Sequence, residues 1–93
     1  MTNTYELSED LELGAFPNPA EDNVTIQFAN PTAADAILEV YNVQGQLVTS
    51  AQIDGGAQSV RHELNTHEYS NGVYLVKILV DNQFATTKLT IQK

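Results

Sequence analysis

The sequence predicts an all-β domain, a two-layer antiparallel sandwich of seven short strands, and three observations carry that prediction. Apolar residues alternate with polar ones at period two along most of the chain, as in strands with one buried face. Turn signals break the alternation at strand-sized intervals: Pro17-Asn18-Pro19, Asn30-Pro31-Thr32, Gln44-Gly45, Asp54-Gly55-Gly56, Asn71-Gly72 and Asp81-Asn82. No stretch has a helical period, and the one candidate, Pro31 to Ala36, is too short to matter.

Strands are expected over 12–16, 23–29, 36–43, 46–53, 58–64, 72–80 and 83–92. The first runs up to Phe16-Pro17-Asn18-Pro19-Ala20, where two prolines fix φ near −65° and remove two donors, forcing an extended or turned lead into the next strand. In the second, Val24, Ile26 and Phe28 share one face and Thr25 and Gln27 the other. Leu38 and Val40 oppose Ile37 and Glu39 in the third. Val40 to Val48 reads as strand, turn and strand, with Gly45 free to take positive φ. Val60, His62 and Leu64 alternate with Arg61 and Glu63, while Tyr74, Val76, Ile78 and Val80 alternate with Leu75 and Lys77. Leu89 and Ile91 alternate with Lys88 and Thr90 in the last strand, which runs to Lys93 and holds the terminus in the fold. Residues 1 to about 11 lack a consistent period and carry Glu6, Glu9 and Asp10, so they read as a solvated linker.

Seven such strands fit an immunoglobulin-like sandwich. Asn71-Gly72-Val73-Tyr74 leads into its strand as the tyrosine corner of those domains does, with the ring buried and the hydroxyl returned to backbone.

Composition excludes several classes of function. Ninety-three residues make one domain, hiding roughly 60–65% of the unfolded chain's surface. Twelve acidic residues against four basic ones give a net charge of −8, which repels nucleic acid and anionic membrane surfaces. Without cysteine there is no disulfide, thiolate nucleophile or sulfur-ligated zinc. No run approaches the roughly 20 apolar residues of a spanning helix. Thr2 to Glu12 is polar and acidic where an export signal would be basic and then apolar, so Met1 reads as the start of a domain taken from a longer protein.

His62 and His67 with Glu63 or Glu68 have ligand types suited to zinc, but alternation separates His62 from Glu63 and leaves His67 in a turn. Ser59 lies three residues from His62 on one extended strand, with no oxyanion loop, so a triad is not expected. Asn23-Val24-Thr25 fits the glycosylation pattern but falls inside a strand. Asp54-Gly55-Gly56 supplies one carboxylate where calcium needs several. An enzyme is not expected, and no cofactor is implied. Of the aromatic residues only Tyr41 and Tyr69 are expected to be free, too few for a sugar-binding platform.

Taken in order, Phe16-Pro17-Asn18-Pro19-Ala20, then Leu38-Glu39-Val40-Tyr41-Asn42 with Gly45 and Val48, then Leu64, Gly72 to Ile78 and Lys88 to Lys93, resemble the C-terminal sorting domain of proteins secreted by the type IX (Por) system of Bacteroidetes. The resemblance covers residues 16–93 and leaves 1–15 as linker and cleavage region. It implies a cleavable export address on a larger cargo, passing through the periplasm and ending secreted or at the cell surface with the domain removed. The implied partners are the outer-membrane translocon, a shuttle and a sortase-like peptidase that joins the cargo to an anionic lipopolysaccharide, with no direct membrane insertion. The signal residues it implies are Pro17, Asn18, Pro19, Gly45, Gly72, Tyr74, Lys88 and Lys93. Asn42 stands where the family often carries Asp, and either can bond the turn backbone. The last strand is expected to be unprotected, open to an added partner strand or to exchange in a homodimer. An adhesion or stalk module of immunoglobulin or fibronectin type would share the strands.

Overall fold

In a computed structural model, which describes residues 6–7 and 11–93, the chain forms seven antiparallel strands in two sheets with a two-residue strand added at one edge. The elements are β1 (Glu6–Leu7), β2 (Gly14–Phe16), β3 (Asn23–Ala29), β4 (Ala36–Tyr41), β5 (Leu47–Ile53), β6 (Ser59–Asn65), β7 (Gly72–Val80) and β8 (Gln83–Ile91). One sheet has the order β1-β8-β7-β4-β5 and the other β2-β3-β6. Three strands facing four, with β4 and β7 central in the larger sheet, is the arrangement of immunoglobulin-like sandwiches.

Alternation decides which face each strand buries. Val24, Ile26 and Phe28 from the smaller sheet meet Leu38, Val40, Val76, Ile78, Leu89 and Ile91 from the larger one, all almost fully enclosed. Burying each such side chain contributes roughly 1.5–3 kcal/mol. The β7–β8 ladder runs unbroken from Val80↔Gln83 to Gly72↔Ile91, so a tight turn at Asp81-Asn82 sets the register of the terminal strand. Any one-residue slip there would turn Leu89 and Ile91 out of the core.

Two expectations are corrected. The segment read as solvated linker is partly built into the domain: Glu6–Leu7 pairs in parallel with Gln83–Phe84, and Leu11 is 0% exposed within the core. Long-range contact, invisible to local period, overrode the polar composition there. Tyr69 is not free either, since it packs against the core beside Tyr74.

Candidate functional site

The start of β7 is held by Tyr74. Gly72 adopts φ +151°, a conformation that disfavours a side chain, and brings the strand in so that Tyr74 faces the core. Its hydroxyl donates to the Ser70 carbonyl at 2.8 Å, and its ring meets that of Tyr69 at 5.1 Å with a 42° tilt. This is the tyrosine corner the sequence predicts.

Between β2 and β3 the chain changes partner. β2 pairs with β3, yet Ala20, four residues past Phe16, forms a parallel bridge to Ile91 of the opposite sheet. The Ala20 N–H donates to Thr90 O at 2.8 Å and its carbonyl accepts from Gln92 N at 2.9 Å. Pro17 and Pro19 are exposed and flank Asn18, whose amide fills the gap between these sites. Asn18 Nδ2 donates to the Lys88 carbonyl at 2.9 Å, and Oδ1 accepts from the Thr90 N–H at 3.0 Å. One side chain thus does the work of a neighbouring strand.

Beyond β8 the terminal residue is tethered twice. The Lys93 N–H donates to Asn71 Oδ1 at 3.1 Å, and Lys93 Nζ donates to the His67 carbonyl. From residue 83 to 93, β8 therefore has β7 on one side and β1, Asn18, Ala20 and Asn71 along its other contacts. That corrects the expectation of an unprotected last strand. Among the described residues the edges of this sheet are β1 and β5, and β8 lies inside it.

Gly45 sits in the β4–β5 hairpin at φ +84°. Asn42 organises this turn: Oδ1 accepts from the N–H groups of Gln44 and Gln46, each at 3.0 Å. The register then jumps from Val40↔Thr49 to Tyr41↔Leu47, a bulge that absorbs Val48. The Asn at this position does bond the turn backbone.

Register and the hydrogen bonds of Asn18 bring the residues singled out in the sequence toward one end of the sandwich. Tyr41 lies opposite Leu75, Leu75 opposite Lys88, and Gly72 opposite Ile91, so the Gly45 hairpin, the tyrosine corner and the chain end lie side by side. Asn18 joins them through Lys88 and Thr90. Sequence reasoning missed Leu11, and it named Ala20 and Asn71 only as parts of turn motifs, not as partners of the last strand.

The outward face of the larger sheet borders this end. A groove of ≈ 710 Å³ lies between the hairpin and strands β7 and β8, lined by Tyr41, Val43, Val73, Leu75, Lys77, Phe84 and Lys88 among others. Val43 is 79% exposed, Leu47 52%, Ile37 47%, Leu75 43% and Val73 39%. Phe84, expected in the core or a turn, faces this side with Lys77 Nζ 5.2 Å from its ring centroid. Tyr41 donates to Glu39 Oε1 at 2.8 Å, and that bond to a carboxylate, with some burial, raises the phenol above its usual 10.0.

Among the described residues no three His, Asp or Glu side chains lie together as a metal site. His62 sits on β6 opposite Ile26, while the exposed His67 approaches Asp22 at 3.4 Å in the following loop. Among the described residues no helix is long and apolar enough to cross a membrane. What the arrangement offers is a fixed terminal strand and a side-chain surface.

Compared with protein families, the chain matches over residues 14–92 a model described as a secretion system C-terminal sorting domain. No curated protein matches it.

Proposed function

The chain belongs to the secretion system C-terminal sorting domain family, and on that footing we propose that its folded terminal strand is the part of a type IX export address on which recognition depends. Family membership supports a C-terminal sorting signal of that system, exporting toward the cell surface or beyond. The cargo would be displayed ahead of the domain, cross the periplasm, be handed by a shuttle to the outer-membrane translocon, and lose the domain to a sortase-like peptidase as it is attached to the surface. Cleavage would fall within residues 1–15, ahead of the sandwich core.

The observation that carries this reading is the enclosure of β8. Nine residues of strand, two backbone hydrogen bonds at Ala20, the Asn18 amide and the Lys93 tethers fix residues 83–93 in one place. A recognised label must present the same surface on every cargo, and a strand ordered by the domain itself meets that need without help from the cargo. Pro17, Asn18, Pro19, Gly45, Gly72, Tyr74, Lys88 and Lys93 would act mainly by building that end, and Lys88, exposed on the outer face, would be read directly.

Fusing residues 1–93 to a periplasmic reporter in a type IX-competent host tests the reading. Export of the reporter to the medium or cell surface is expected. Retention in the periplasm, with the domain folded, overturns it.

A further inference from the structure

We infer that the outward face of the β8-β7-β4-β5 sheet is the surface by which the export machinery binds this domain, and that the partner presents an apolar patch bordered by carboxylates. The inference rests on the sorting reading above and names the surface and chemistry that serve it.

Solvent-facing sides of antiparallel sheets ordinarily carry polar residues. Here the cross-strand row Leu47–Tyr41–Leu75–Lys88 is apolar along three of its four members and the row Gln52–Ile37–Leu79–Phe84 repeats the pattern, with the polar row Ser50–Glu39–Lys77–Thr86 between them. Of the seven large hydrophobic residues exposed among the described residues, five (Ile37, Val43, Leu47, Val73 and Leu75) lie on this face or the hairpin beside it. Scattered exposed apolar residues need no explanation, but Tyr41, Val43, Val73, Leu75 and Phe84 line one groove, and a set gathered in that way marks an interaction surface.

Charge selects the partner. The chain has four basic residues against twelve acidic ones, and two of the four, Lys77 and Lys88, project from this face. Among the described residues neither ammonium forms a salt bridge, and Lys77 is laid across Phe84. The one acid on the strands of this face, Glu39, stands opposite Lys77 and accepts from Tyr41, which leaves two ammonium groups against one carboxylate. The face is therefore cationic and apolar on an otherwise acidic molecule, which complements an apolar surface with carboxylates. A second copy fits poorly: face-to-face pairing would bring four lysines together and join two chains of net charge −8 each. Strand addition at β8 is also disfavoured, because Asn18 and Ala20 occupy its edge.

The test uses the reporter fusion with Leu75→Asp, with the pair Lys77→Glu and Lys88→Glu, and with Arg61→Glu on β6 as a control outside the face. Leu75 and Lys88 are exposed, so thermal unfolding of the isolated chains should stay near the parent. Export should fall by about tenfold or more in the Leu75 variant and in the lysine pair, and stay at the parental level in the control. Parental export by folded face variants overturns the inference while leaving the sorting reading intact. A parent retained in the periplasm overturns the sorting reading itself. Sedimentation showing a dimer that Leu75→Asp dissociates would assign the face to self-association instead, and overturn the partner named here.

Discussion

Two neighbouring phenols show how differently one residue type can behave in this fold. Tyr74 donates its hydroxyl to Ser70 O, whereas the Tyr69 hydroxyl is buried without a hydrogen-bond partner among the described residues. Burial, and then the nearby Tyr74, raise the Tyr69 phenol above 10.0, consistent with a group cut off from water. Tyr74→Phe should therefore cost about 0.5–1.5 kcal/mol by losing a made bond, and more if Ser70 O is left dry. Tyr69→Phe should be neutral or stabilising, because it removes a buried polar group with nothing to bond. Denaturant unfolding of both variants checks this, and equal losses would mean the two hydroxyls are equivalently solvated. Asn18 is a third case: as part of Pro-Asn-Pro it looks like a turn residue, yet its amide acts as a strand surrogate seventy or more positions down the chain.

Among the elements, β8 joins stability to recognition. Deleting residues 89–93 exposes what Leu89 and Ile91 bury, roughly 1.5–3 kcal/mol each, and strips the Ala20 and Asn71 bonds as well. Against a typical domain stability of about 5–15 kcal/mol, that loss should leave much of the population unfolded, so export should fail together with the melting transition. Lys88→Gln separates the two roles, since the side chain is exposed and only its carbonyl serves Asn18. Reduced export with unchanged unfolding is expected; unchanged export would show that this ammonium is not read. The β4–β5 hairpin is the element most fully legible beforehand: Gly45 takes positive φ, and Asn42 bonds the turn as that residue type does. Strand β2 was only partly legible, because Gly14 to Phe16 has too few residues for a period to emerge.

Across the whole molecule, the domain begins earlier than composition implies. A chain starting at residue 16 loses Leu11 from the core and the Gly14 and Ala15 rungs of β2, so it should unfold at lower denaturant than residues 1–93 by roughly 2–5 kcal/mol, as buried leucine losses do. Matching transitions for the two chains would place Leu11 outside the folding unit. By itself, the sequence determined the all-β class, the strand faces, the turns and the tyrosine corner, because period-two patterning and turn chemistry are local and each strand can state its own buried side. It also carried the ordered motifs that resemble the sorting family. Only the tertiary structure decided that β8 is enclosed instead of open, that Leu11 belongs to the core, and that Lys77, Lys88 and the exposed apolar residues share one face. Those outcomes depend on which strands become neighbours across tens of residues, and local alternation gives each strand two faces without saying what will lie against either.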